Sequence, residues 1–176
     1  EELFPPQREA LPYALAGQNV MLTIPTASGK SLVAHLTMIH RLMTDMQDAR
    51  ALYIVPLKAL ASEKVEELRE LAGLVGLRVG IAIGDRSGEN SGIEESDILV
   101  CTSEKLDSML RTRDGLMEKI GVVVSDEFHL LHDISRGPTL EVLLSRIRHA
   151  QPEAQIIALS ATVGNAEEMA DWLDAR

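Results

Sequence analysis

A single cysteine, Cys101, stands among 176 residues. That count excludes an internal disulfide, and one cysteine cannot build a cysteine-based metal site alone. Its setting, "DILVCT", is apolar, so the thiol reads as a small buried hydrophobe rather than a nucleophile. A cytosolic setting fits. Basic residues are also few: 17 Lys and Arg stand against 27 Asp and Glu, for a formal net charge of −10. Neutralising a phosphate backbone takes clustered cations. The balance therefore argues against nucleic-acid binding over a broad face; any such contact must be local, or shared with parts of a larger protein. No apolar run approaches the roughly 18 residues of a membrane span. There is no signal-peptide pattern, internal repeat, low-complexity segment or linker. Glu1 rather than Met stands first, and we expect a piece of a longer protein. The length suits one ordinary domain with a substantial core.

What is present is a series of short apolar runs: "VMLTI" at 20–24, "ALYIV" at 51–55, "RVGIAI" at 78–83, "DILVC" at 97–101, "GVVVS" at 121–125 and "QIIALS" at 155–160. Most do not alternate with polar residues, as expected of strands buried on both faces of a parallel sheet. Between them lie segments of helical spacing. Leu32, Leu36, Ile39, Met43 and Met46 predict one apolar helix face, and Leu57, Leu60, Val65, Leu68 and Leu71 another, with Gly73 as its stop. Thr102 and Ser103 are candidate caps for "TSEKLDSMLR". Pro138 suits a first helical position, and Asn165 suits a cap for "NAEEMADWLDA". "GDRSGENSG", 84–92, reads as a loop within the domain. Strand–helix alternation along the chain predicts an α/β fold with a mostly parallel sheet and helices on both faces. Ligands of such sheets bind beyond the carboxyl ends of the strands.

Three such ends carry chemistry. "TIPTASGKS", 23–31, has the Gly29-Lys30-Ser31 ending of the phosphate loop G-x-x-x-x-G-K-[ST], with Ile24 at the first glycine's position. Its strand–turn–helix context is the one a phosphate loop requires, because N–H groups at a helix start face anions. Lys30 would reach the β and γ phosphates of ATP, and Ser31 would offer a hydroxyl to Mg²⁺. The plain alternative is an exposed lysine after a loop. "VVVSDEFHLLHD" runs a buried strand into Asp126 and Glu127. Adjacent acids at such a place need solvation or a partner. Beside a phosphate loop, Asp126 would hold Mg²⁺ and Glu127 would position and deprotonate water; an acidic turn capping the next helix is the alternative. His129 and His132 suggest zinc only weakly, since no third ligand is fixed by spacing. "ALSATVGN" ends a strand in Ser160, Ala161 and Thr162, a weak signal alone. Taken in order, the three ends meet in one cleft.

With these residues in view, the chain resembles superfamily-two DExH helicases. "PTASGKS" resembles motif I, "DEFH" motif II, "SAT" motif III, "FPPQ" the upstream glutamine motif, "VPLKALASEK" motif Ia and "TSEKLDSMLR" motif Ib. "RGPTLE", 136–141, is a further family-like segment. The wording is most similar to the Ski-two-like branch and, within it, to the archaeal Hel-type DNA repair helicases. The departures are small: a non-glycine at Ile24 is common in helicase motif I, and Phe128 stands where Ile or Val is more frequent.

The resemblance implies a RecA-like P-loop NTPase domain over 1–176, the first of two in a longer chain. It implies that Gln7 recognises adenine, with Phe4 nearby. Thr26, Gly29, Lys30 and Ser31 would hold phosphates and Mg²⁺. His129, Ser160 and Thr162 would couple the nucleotide cleft to the nucleic-acid face. Pro56, Lys58, Gly84, Asp85, Thr102, Ser103 and Lys105 would touch the strand, largely through N–H groups, hydroxyls and a helix start. Ordinary solvated helix lysines are the alternative for Lys58 and Lys105. The implied activity is ATP-dependent 3′ to 5′ DNA unwinding in repair and recombination, on single-stranded or forked DNA in the cytoplasm. An RNA helicase of the same branch and a non-catalytic nucleotide-binding module are the alternatives. The second RecA-like domain, with its arginine finger, would be the partner in the same chain. The fragment itself is expected to be monomeric and nearly inactive.

Overall fold

The computed structural model describes residues 3–25, 29–84, 90–112 and 119–176. The expected site residues Thr26 and Asp85 lie outside them. Among the described residues, β1 (Val20–Thr23), β2 (Arg50–Val55), β3 (Val79–Ala82), β4 (Asn90–Ser91), β5 (Ile98–Thr102), β6 (Ile120–Ser125) and β7 (Gln155–Ser160) form one sheet. Its order is β1-β7-β6-β2-β5-β3-β4. Every pairing is parallel except β3 with β4. The carboxyl ends of β1, β2, β5, β6 and β7 therefore open on the same side.

The helices are α1 (Pro5–Leu15), α2 (Lys30–Met43), α3 (Lys58–Gly73), α4 (Ser103–Thr112), α5 (Gly137–Ala150) and α6 (Ala166–Leu173). They cover both faces. Val20, Leu22, Tyr53, Val55, Val122, Val124, Ile157 and Leu159 meet α1, α2 and α3 through Ala10, Ala14, Val33, Ala34, Met38, Val65 and Leu68. The alternate strand residues Leu52, Ile54, Leu99, Cys101, Val123, Ile156 and Ala158 meet α4, α5 and α6 through Leu106, Met109, Leu143, Leu144, Ile147 and Met169. This two-sided burial is why the strands read as unbroken apolar runs. Cys101 is buried, and burial pushes its thiol up to about 12, as suits an inert core residue.

Several details differ from the sequence reading. In α2 the side toward the sheet is Val33, Ala34, Thr37, Met38 and Leu42, not the stripe of larger residues. Leu32, Leu36 and Ile39 are only half-buried, and Met43 is exposed. Likewise Ala61 and Ala72 join Val65 and Leu68 as the buried side of α3, while Leu57 is exposed before its first turn. Gly73 is the last helical residue rather than the stop; the reversal comes at Gly76, with φ of 80°. α1 is not foreseen from periodicity, because Pro12 interrupts it. Asn90 and Ser91, read as loop, pair antiparallel with β3. Asn165 does precede α6, but its side chain meets His132 Nε2 rather than capping the helix.

Candidate nucleotide site and nucleic-acid groove

β1 leads through the buried Ile24 to Pro25. At the far end of the loop Gly29, with φ of 70°, precedes α2. Two facts favour glycine here. The backbone is left-handed, and a Cβ would lie 2.5 Å from Gln7 Nε2. Gln7 comes from α1. Its Nε2 donates to Gly29 O at 2.8 Å, and its Oε1 accepts from Phe4 N at 2.9 Å. The glutamine is thus tied to the loop rather than left on the surface. Lys30, the first residue of α2, is buried, and its Nζ lies 3.2 Å from Glu127 Oε1.

Glu127 follows β6. Asp126 N donates to Ile54 O at 2.9 Å, extending the β6–β2 ladder by one residue. Glu127 then adopts φ 51°, ψ 44°, which ends the strand and starts a 3-10 turn, Phe128–His132. The buried Phe128 anchors that turn against the α4–α6 core. Asp126 Oδ1 accepts from Glu127 N and Oδ2 accepts from Tyr53 OH, both at 2.9 Å. Burial holds the Asp126 carboxyl above the ordinary carboxylate range, and the Glu127 charge adds to this; the two hydrogen bonds and Lys30 oppose it. Burial also pushes the Tyr53 phenol well above its usual range, so it remains a donor. A cavity of about 630 Å³ opens beside Lys30, Ser31, Asp126 and Glu127, with Leu60, Lys64, Glu67 and Leu71 of α3 across from them. One ammonium, one hydroxyl and two carboxylates so arranged can hold a polyphosphate and a hard cation.

His129 Nδ1 accepts from Ala161 N at 3.4 Å and lies 3.5 Å from Glu127 Oε2. The end of β7 thereby touches the end of β6. Ser160 is buried and donates to Ala161 O at 2.9 Å; Thr162 is exposed. The link to His129 runs through the Ala161 backbone rather than through either hydroxyl.

A second cavity, of about 400 Å³, brings together Pro56, Lys58, Gly84, Thr102 and Lys105, with Leu57, Ile83, Glu104 and Ser108. These come from the ends of β2, β3 and β5. Thr102 Oγ1 accepts from Lys105 N at 3.3 Å, capping α4. Ser103 is not in this groove. It is buried, and with Ser125, Asp126, Glu127 and Arg136 it lines a small cavity of about 20 Å³ that shares Pro56 with the groove.

A sequence model of the DEAD/DEAH box helicase family matches residues 4–169. The chain belongs to that family. It is 48% identical over 176 residues to the ATP-dependent DNA helicase Hel308 of Thermococcus kodakarensis, across 99% of this chain and 15% of that protein. It is 47% identical over 179 residues to the ATP-dependent DNA helicase Hel308 of Methanocella arvoryzae, across 99% of this chain and 24% of that protein. The crystal structure of the DUF1998 helicase MrfA is similar with a TM-score of 0.79 at 26% identity, over 99% of this chain and 29% of that one. The chain thus spans a quarter or less of the two curated relatives named.

In this DEAD/DEAH box helicase domain, Gly29, Lys30, Ser31, Asp126 and Glu127 line one cavity, and Gln7 closes on it through Gly29. Tyr53 was not singled out from the sequence. Its signal is a lone hydroxyl inside "ALYIV", a run buried on both faces. Such a hydroxyl must find a polar partner, and here the nearest strand end supplies Asp126.

Proposed function

We propose that this chain is the ATP-binding motor domain of an ATP-dependent DNA helicase, the first of two RecA-like domains. The whole protein would move 3′ to 5′ on single-stranded or forked DNA in repair and recombination, inside the cell. The observation that carries the reading is the meeting of the phosphate-loop end with the acidic strand end, Lys30 Nζ to Glu127 Oε1 at 3.2 Å. Family membership and relatives named ATP-dependent DNA helicases support it.

The residues fit Mg²⁺-ATP. Ser31 and Asp126 supply oxygen donors of the kind Mg²⁺ takes, and they line one cavity with Lys30. Gln7 would select adenine. Lys30, paired with Glu127, would exchange that carboxylate for phosphate oxygens, freeing Glu127 to accept a proton from water. Mg²⁺, when bound, neutralises charge building on the phosphates. His129 would pass the state of Glu127 to β7 through Ala161. The groove at Pro56, Lys58, Gly84, Thr102 and Lys105 would hold the strand's phosphates, with Ser103 supporting it from behind. Backbone reading of this kind needs few net positive charges, which reconciles it with an acidic chain.

The missing catalytic part would be an arginine finger from a second domain, worth on the order of 10³ to 10⁵ in rate. The 176-residue chain alone should therefore hydrolyse ATP barely and unwind nothing. The test compares ATPase rates of the full-length protein with single-stranded DNA and with RNA of matching sequence at one salt concentration, alongside Glu127→Gln. Stimulation by DNA, lost in the variant, is expected. Equal or greater stimulation by RNA would move the protein to the RNA side of its branch, and no stimulation by either would end the motor reading.

A further inference from the structure

We infer that Tyr53 is a positioning residue for the metal: its phenol holds the Asp126 carboxylate in the orientation that receives Mg²⁺. The inference rests on the reading of Asp126 given above.

Tyr53 is fully buried in the middle of β2, opposite Val124 of β6. Its side chain lies on the face covered by α2, where its ring leans on His35 with centroids 5.5 Å apart. The hydroxyl emerges where the start of α2 meets the end of β6. There it donates to Asp126 Oδ2 at 2.9 Å. A phenol on β2 thus holds an oxygen donor assigned to the metal at the end of β6, a different strand.

The geometry explains what the hydroxyl adds. Each Asp126 oxygen has one donor, Glu127 N on Oδ1 and Tyr53 on Oδ2. Two donors, one on each oxygen, fix the carboxylate plane and leave each oxygen a further lone pair. With the Glu127 amide alone, the group can pivot about its Cβ–Cγ bond. Phenylalanine would fill the same apolar space, so packing alone does not call for tyrosine. Residues that orient a metal's ligands typically cost 10- to 100-fold in metal affinity when removed.

The experiment uses the full-length protein and a fluorescent ADP analogue, titrated across a range of Mg²⁺ concentrations. Tyr53→Phe is expected to raise the half-saturating Mg²⁺ by about tenfold or more, while affinity for metal-free nucleotide stays within about twofold. In an Asp126→Asn background the same change should add nothing, because Tyr53 acts through that carboxylate. An unchanged Mg²⁺ midpoint in Tyr53→Phe overturns the inference and leaves the nucleotide site standing. A wild-type protein whose nucleotide affinity ignores Mg²⁺ overturns both. Should Tyr53→Phe not fold, p-aminophenylalanine and p-fluorophenylalanine at this position replace it. The first keeps a donor and should restore the wild-type midpoint; the second fills the space without one and should not. Equal midpoints for the two would sink the idea.

Discussion

At the residue scale the site works by mutual compensation. Lys30 is almost wholly buried, and a lone ammonium there would be costly; Glu127 answers it at 3.2 Å. Phosphate would replace that carboxylate with charge-assisted hydrogen bonds. Bonds to charged groups are worth about 1.5–3 kcal/mol each, so Lys30→Met is expected to weaken nucleotide binding by roughly 10- to 100-fold, read by fluorescence titration. Lys30→Arg should not restore it, because a planar guanidinium does not substitute for a compact point charge in a buried position. His35 makes a different prediction. Burial, with the Lys64 charge second, lowers its pKa from 6.5 to about 4. The unfolded chain therefore takes the proton first as pH falls. His35 takes nothing from stability above pH 6.5; stability then declines down to pH 4, by about 3 kcal/mol in total, because a tenfold difference in proton affinity is worth about 1.36 kcal/mol. Asp126, whose carboxyl is raised, acts in the opposite sense over its own range. Urea midpoints at several pH values should show the acid loss in the wild type, and His35→Met should flatten it. Equal slopes in the two proteins would remove His35 as its source.

At the scale of elements, close approach decides more than propensity. A Cβ on Gly137 would sit 2.0 Å from Leu131 O and 2.8 Å from Leu131 C. The start of α5 therefore packs directly on the backbone of the 3-10 turn that follows Asp126 and Glu127. Gly137→Ala should lower stability by about 1–3 kcal/mol, the usual cost of overpacking, and should also weaken nucleotide binding through the displaced turn. Gly164, with nothing within 4 Å, is the matched control and should tolerate alanine. A stable Gly137→Ala with unaltered binding would contradict this account. The same theme explains what could be read beforehand. Strand positions were legible because parallel strands covered on both faces leave continuous apolar runs, and the phosphate-loop and acidic strand ends because their chemistry needs particular residues at particular spacings. The buried side of α2 was not, because Val33 and Ala34 are small and the larger Leu32 and Leu36 drew the periodicity to the wrong flank. α1 was not, because Pro12 hid it. Tyr53 was not singled out because its partner, Asp126, comes from the end of a neighbouring strand.

At the scale of the whole molecule, the two cavities are neighbours on one sheet edge. The cavity at Lys30 and Asp126 lies at the start of α2 and the end of β6, the groove at the ends of β2, β3 and β5, and β2 lies between β6 and β5. Pro56 and the small cavity at Ser103, Ser125 and Arg136 form the wall between them. A shift of the turn after Asp126 thus reaches the groove within one strand's width. The chain's net charge of −10 sets the terms of any strand binding there. Among the described residues, Lys58 and Lys105 bring cationic side chains to the groove, where Glu104 also stands. Each neutralised phosphate of a single strand contributes about 0.7 to the slope of log K against log salt. Removing both lysines in the full-length protein should therefore lower that slope by about 1.4. Binding should weaken alike on every sequence, because phosphate contacts carry no base information. The check is a salt series of single-stranded DNA binding for wild type and Lys58→Ala/Lys105→Ala. A weaker but parallel line would mean that the lysines support the groove without touching phosphate, and that backbone N–H groups and the start of α4 carry the contact. Coincident lines would place the strand elsewhere on the molecule.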